Sequence, residues 1–298
     1  MINANGAVLD RAKDENIQNI LKRYSYYVEQ VVNFGTHLLL WEGDDSQSEL
    51  TILKLMLRYF LDMLDALSIL IRAGSGEASK SLLRSAFELN MSMHFIYSKH
   101  TRERADAFLI VDKFDRLKEL EKLNSESLPY KQTKAEFIKE GIIKDFDGKI
   151  DSQLIKRQIQ TIEEELKNSD YRGIVNEYER VKLLKKKQKK IYWYELFEGV
   201  DSIESMAKSL NKHTFYEVLY RKWSKTVHGN EIIKNKIHTD SNGISDLVPI
   251  RLPVGLALIA KFACGFAINT FGNYVINSYP TRFEEYEKWE KEFTDNYV

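Results

Sequence analysis

The chain has 298 residues, with 44 Lys and Arg set against 44 Asp and Glu, so its formal charge is zero. That balance excludes a uniformly basic nucleic-acid coat and an acidic disordered tail, while leaving room for a local patch. A single cysteine excludes an intramolecular disulfide framework and a cysteine-rich zinc site, and the scarcity of Gly (14) and Pro (4) leaves long stretches free to run as helix.

Residues 1–16 lack an apolar core behind a basic start, so no secretory signal is expected and the protein reads as cytoplasmic. In residues 10–40, Ile17, Ile20, Leu21, Tyr24, Val28, Val31 and Val32 recur at helical spacing. A turn at Gly43-Asp44-Asp45-Ser46 precedes a second helix reaching Arg72, which carries Arg58, Asp62 and Asp65 on one face. Ala73-Gly74-Ser75-Gly76 breaks the chain, and helices follow over 77–99 and 101–123. Residues 124–130, which hold Pro129, read as a loop.

From 131 to 190 the charge rises and the apolar content falls, with helical patterns at 153–168 and 171–190. Three parts are therefore expected: N-terminal bundle helices over 1–130, a charged helical insert over 131–190, and C-terminal bundle helices over 191–298. Past Ile191-Tyr192-Trp193-Tyr194, short helices are expected at 203–210 and 214–228, the latter stopped by Gly229. Residues 238–252 read as a loop, Pro253 opens a long apolar helix, and a charged amphipathic helix covers 281–293. The long apolar stretch at 254–276 is long enough to span a bilayer, yet Lys261, Asn269, Asn273 and three glycines interrupt it and no aromatic belt flanks it. It is expected to be a buried or interface helix, with no membrane span. No strand pattern of useful length and no repeat stands out, so the fold class is all-α, a multi-helix bundle with a charged helical insert.

Residues 215–230 hold the densest chemistry. On an α-helix, Glu217, Arg221, Ser224 and His228 follow at steps of four, three and four and share one stripe. Tyr216, Tyr220, Trp223 and Val227 form a second stripe about 100° away, suited to the core. Arginine offers a permanently charged fork for phosphate, and histidine can take or give a proton near neutrality. Together they suffice for metal-independent RNA cleavage, in which a ribose 2′-hydroxyl attacks its own phosphate. One helix supplies one Arg and one His, so two facing chains would make a fuller site. The competing reading is structural, with Arg221 bridged to Glu217 and His228 acting as a cation near the helix C-terminus.

Arg221 and His228, with six residues between them, resemble the Arg-x(4–6)-His signature of the HEPN (higher eukaryotes and prokaryotes nucleotide-binding) superfamily. Over about 53–276, the chain also resembles the bacterial family known as domain of unknown function 5677. That likeness rests on Arg84-Ser85-Ala86-Phe87-Glu88, Trp193, Met206-Ala207 and Tyr220-x3-Ser224-x3-His228-Gly229. The superfamily resemblance implies a HEPN-like helical core, a homodimer, and membership among metal-independent ribonucleases of toxin and antiphage systems, with an antitoxin or defence-system partner. In that reading Arg221 binds phosphate, His228 is the acid/base, and Glu217 and Ser224 orient them. Tyr220 belongs to the same motif.

Arg84 and Glu88 lie one turn apart among Leu82, Leu83, Phe87 and Met91, where a charge needs a partner. They either orient His228 or form a bridge that fixes helix register. The run 180–190 includes Lys182, Lys185, Lys186, Lys187, Lys189 and Lys190 beside Tyr192, Trp193 and Tyr194, a pattern suited to RNA backbone and base stacking. Glu163-Glu164-Glu165 could equally neutralise the run across a hairpin. His94, His100, His238 and Asp240 lack zinc-site spacing, Cys264 reads as core, and neither a metal nor a cofactor is expected. The functional expectation is an RNA-cleaving or RNA-binding effector, with a non-catalytic interaction or ligand-sensing module as the alternative.

Overall fold

With few helix breakers in the chain, apolar periodicity decides where helices lie. The computed structural model describes residues 15–42, 48–141, 152–185, 190–221, 223, 237–239, 241, 243, 245–248 and 250–297. In chain order the helices are α1 (Glu15–Leu39), α2 (Ser48–Arg72), α3 (Gly76–Ser98), α4 (Thr101–Leu123), α5 (Leu128–Lys139), α6 (Ser152–Leu166), α7 (Arg172–Leu184), α8 (Ile203–Ser209), α9 (His213–Phe215), α10 (Leu256–Ser278) and α11 (Phe283–Tyr297). The short α9 runs directly into a π-helical turn, Tyr216–Arg221. The fold is all-α, a multi-helix bundle, and the chain divides into two compact units: Met1–Lys99 with Ile203–Val298, and His100–Ser202.

The first unit is organised around α10. Leu256, Ile259, Ala260, Ala263, Phe266, Ala267, Phe271, Tyr274 and Val275 are buried over most of its surface, and α1, α2, α3 and α11 pack against it. Among the described residues it is the one helix apolar and long enough to cross a membrane by length and composition, and more than half of its most apolar stretch is buried. On α1, Leu21, Val28, Val31 and Leu38 form the buried stripe. The Arg58–Asp62 pair of α2 lies on the opposite, exposed side of its helix from buried Leu57, Phe60, Leu61 and Leu64.

Specific contacts fix the register of these helices. Phe34 of α1 stacks flat on Trp289 of α11 at 3.8 Å between ring centroids. Tyr286 of α11 donates its hydroxyl to the Ile268 carbonyl of α10 at 2.8 Å. Asn90 of α3, fully buried, donates Nδ2 to Thr270 Oγ1 at 2.7 Å. A buried amide placed this way is satisfied at one relative height of the two helices only.

In the second unit α5, α6 and α7 all pack on α4. Phe114 of α4 stacks on Tyr178 of α7 at 4.2 Å, and Trp193 meets Phe108 edge-on at 5.5 Å. Lys113–Glu165 and Lys156–Glu126 tie α6 to α4 and to the turn before α5.

Three local departures from the expected elements have physical causes. Pro129 does not belong to a loop but sits in the first turn of α5, where its missing N–H would be unpaired anyway, with the Ser127 side chain accepting from the Tyr130 N–H at 3.1 Å. Within the expected loop at 238–252, strands Ile237–Thr239 and Ser245–Leu247 pair antiparallel, with His238 opposite Asp246. Three residues are too few for alternation to show in a sequence. The helix expected over 214–228 begins at His213 and turns π-helical at Tyr216, a widening that a 3.6-residue period does not encode.

A methyl group at Gly35 tests the core. A Cβ there would collide with Leu61 Cδ2 and stand 2.7 Å from Phe271 Cζ, and both side chains are buried with no room to withdraw. Gly35→Ala should therefore lower stability by about 1–2 kcal/mol in chemical denaturation, because overpacking outweighs alanine's helix preference of roughly 1 kcal/mol. An unchanged or higher midpoint would contradict this packing.

Candidate functional site

Three short pieces of the first unit build the polar cluster. After α8 the chain reverses sharply: Asn211 adopts a left-handed conformation (φ 57°) and the Lys212 N–H returns to the Ala207 carbonyl at 2.7 Å. This reversal sets α9 and the π-turn alongside α8, whose Met206 and Ala207 are buried. Leu219 and Trp223 take the buried side, and Trp223 meets Phe262 of α10 edge-on at 6.4 Å. The polar side chains are left together on the opposite side.

There Arg221 is held by two carboxylates. Its Nη1 donates to Glu217 Oε1 at 2.7 Å and its Nη2 to Glu204 Oε2 at 3.4 Å. Lys208 also reaches Glu204, at 2.8 Å, and His213 Nε2 lies 3.4 Å from Oε1 of both Glu204 and Glu217. The hydrogen bond from Lys208, supported by His213 and Arg221, holds the Glu204 carboxyl below the ordinary range. The hydrogen bond to Glu217, reinforced by its charge and that of Glu204, holds the Arg221 guanidinium above its ordinary value. The Arg221 side chain is nonetheless 56% exposed.

A second layer lies beneath. The Arg84 guanidinium of α3 sits over the Tyr220 ring, 3.9 Å from its centroid, and Arg84 Nη2 is 3.6 Å from Glu88 Oε1. Burial pushes the Glu88 carboxyl up, opposed by hydrogen bonding to Tyr220 and by the Arg84 charge. Tyr216 stacks on Tyr220 at 5.0 Å, and His213 stacks on Tyr216 at 6.1 Å. The result is a ladder of rings along the π-turn that ends on a largely buried cation.

Of the expected site residues, Glu217 and Arg221 are joined directly, and Arg84, Glu88 and Tyr220 form the adjoining layer. Ser224 and His228 lie outside the described residues, as do Lys186, Lys187 and Lys189. The remaining lysines of the basic run belong to the second unit, and acids answer each: Lys182 pairs with Glu179 at 2.8 Å, Lys185 with Glu195, and Lys190 with Asp115 at 2.8 Å. Lys190 also approaches the Tyr192 ring, which stacks flat on Tyr194 at 5.1 Å.

Glu204 and His213 were not among the expected site residues. A Glu four residues before a Lys marks any solvated helix, and only the chain reversal at Asn211 brings His213 to it. The ligand atoms of Glu204, His213 and Glu217 lie within 4.8 Å of one another. Two carboxylates and an imidazole suit a divalent transition metal. Here Lys208 and Arg221 already balance both carboxylates.

The Arg84–Tyr220 contact makes a measurable prediction. Because Arg84 is largely withdrawn from solvent, a double-mutant cycle with Arg84→Met and Tyr220→Leu should give a coupling of about 1–2 kcal/mol in denaturant unfolding. Additive losses would mean that the ring and the guanidinium are neighbours without attraction.

No curated protein and no solved structure matches the chain. The sequence model of one family, described as "Family of unknown function (DUF5677)", matches residues 50–244. That span covers more than half of the chain and includes the Arg84–Glu88 turn, α8 and the π-turn, so the chain belongs to this family.

Proposed function

We propose that the protein acts on RNA in the cytoplasm, as a metal-independent endoribonuclease or RNA-binding effector of the toxin or antiphage kind, with a HEPN-like core. Arg221 receives the phosphate and His228 exchanges the proton. The observation that carries this reading is the state of Arg221, an exposed guanidinium pinned in place by Glu217 and Glu204. A guanidinium has five N–H donors in a fixed plane, and these two contacts engage one on each of Nη1 and Nη2. The outward donors are thereby pre-oriented for a phosphate, which lowers the entropic cost of binding one.

The reaction balances without an added reagent. A ribose 2′-hydroxyl loses its proton to the imidazole and attacks the adjacent phosphorus. The imidazolium returns the proton to the departing 5′-oxygen, giving a cyclic phosphate and a free 5′-hydroxyl. The guanidinium steadies the extra negative charge on the pentavalent phosphorane. Glu217 and Ser224 orient the pair, and a second copy of the chain completes the site. In the second unit, Lys182, Lys185, Lys190 and the neighbouring Lys186, Lys187 and Lys189 serve the RNA backbone, and the Tyr192–Tyr194 stack offers a face to bases.

A second reading, a non-catalytic interaction or ligand-sensing module, draws on the same geometry. Among the described residues, Arg221 and Lys208 of the cluster and Lys182, Lys185 and Lys190 of the basic run already have acidic partners.

Purified protein incubated with tRNA and total RNA in EDTA separates the two. The RNA reading expects cleavage by the native protein and none by His228→Ala. It also expects about fivefold tighter RNA binding by Glu204→Gln with Glu217→Gln, because two negative charges beside the phosphate are removed while the Gln oxygens still accept from Arg221. Equal cleavage by native and His228→Ala proteins, or no cleavage together with unchanged affinity in the Gln variant, leaves the second reading standing.

A further inference from the structure

Helices α3, α9 and α10 of the first unit line an open cavity of about 480 Å³, within the range of small-molecule sites. Its walls are phenyl rings. Phe262 and Phe266 of α10 lie nearly parallel at 6.2 Å, Phe215 of α9 stands edge-on to both, and Phe87 of α3 meets Phe266 at 5.2 Å. A flat apolar ring fits such walls through offset and edge-to-face contacts.

The polar end of this cavity is built with more care than a solvent cleft requires. Lys212, placed by the reversal after α8, points its Nζ at Asn90 Oδ1 (3.4 Å) and at Asn269 Oδ1. Asn90 cannot turn away, because its amide nitrogen is committed to Thr270 at 2.7 Å. Both partners of the ammonium are therefore neutral amide oxygens, and no carboxylate pairs with Lys212 among the described residues. Burial alone depresses the amine, to about 8. The nearby His94 of α3 is pushed down to about 3, chiefly by burial and then by the Lys212 charge, so it is neutral at physiological pH and adds no positive charge of its own there. The other charged group lining the cavity is a second cation, Lys261 of α10.

A partly buried ammonium with no anion beside it among the described residues is an incomplete charge arrangement, and the apolar walls select what can complete it. We infer that this cavity binds a small aromatic carboxylate, its ring among Phe87, Phe215, Phe262 and Phe266 and its carboxylate on Lys212. The site is separate from the Arg221 cluster and does not depend on the RNA reading.

The probe is 1-naphthoate, titrated by calorimetry into the full chain beside neutral 1-naphthol and 1-naphthyl phosphate. Binding with a Kd on the order of 10–100 µM is expected, at least about tenfold tighter than naphthol. The affinity should hold below pH 8 and weaken as pH rises further, because the free amine deprotonates and the anion loses its partner. Lys212→Met should lose about tenfold, while Lys212→Arg should keep most of the affinity. Gly265→Leu fills the cavity from α10, where a Cβ would meet nothing within 4 Å, and should abolish binding without disturbing the fold. Naphthol binding as tightly as naphthoate, unchanged affinity in Gly265→Leu, or no binding at all would overturn the proposal. Tighter binding of naphthyl phosphate would overturn the carboxylate assignment. The comparison of ligands on the native chain decides the matter even where Lys212→Met fails to fold.

Discussion

A long apolar helix has little to give to water and must be covered, and α10 is such a helix. A stripe that includes Leu258, Lys261, Gly265, Asn269 and Ile276 faces outward, and α1, α2, α3 and α11 pack on the rest. Ala260, Ala263, Ala267 and Gly272 keep it slender enough for close neighbours, and Gly35 of α1 brings that helix against Phe271. Of the polar atoms drawn into this interior, some are paired, as in Asn90 with Thr270 and Tyr286 with the Ile268 carbonyl, while Tyr274 Oη and Trp41 Nε1 have no hydrogen-bond partner among the described residues. Leaving one such group unpaired costs about 1–3 kcal/mol, a large share of a domain's net stability.

Both candidate sites take their shape from that enclosure. Phe262, Phe266 and Asn269 of α10 are at once part of the bundle and part of the cavity around Lys212. The π-turn is anchored through Leu219 and Trp223 on one side and through the Arg84 contact to Tyr220 on another. These anchors differ in strength from the cluster they carry. Arg84 is mostly withdrawn from water, so its contacts resist exchange. Arg221 and its carboxylates are substantially exposed, where water screens an ion pair. Arg84 thus behaves as a fixed part of the frame, and Arg221 as a cation that a stronger acceptor can recruit.

The helical pattern in the sequence reported this frame well, because burial against neighbours is what produces the pattern. The stop of α4 at Leu123 and the apolar character of α10 were legible for that reason. So was the nearness of Arg84 to Glu88, which follows from one helical turn. What escaped the sequence depends on chain reversal or on local geometry without a period. The approach of Glu204 to His213 exists only because Asn211 turns left-handed, and the widening at Tyr216–Arg221 leaves no mark on residue spacing. The Lys212 cavity was equally silent. Its members, Asn90, Lys212 and Asn269, come from three separate segments and look ordinary in each.

Charge arithmetic at the cluster sets a condition on any role with nucleic acid. Glu204 and Glu217 carry two negative charges, and Lys208 and Arg221 carry two permanent positive ones, so the cluster is balanced before a ligand arrives. A phosphate bound there would leave the site net negative, and each exposed unit charge at about 4 Å is worth ~1 kcal/mol in water, more where water is partly excluded. One copy of the cluster is therefore a weak anion site. Strong binding requires positive charge beyond the four described groups, which in the RNA reading a second copy of the chain supplies.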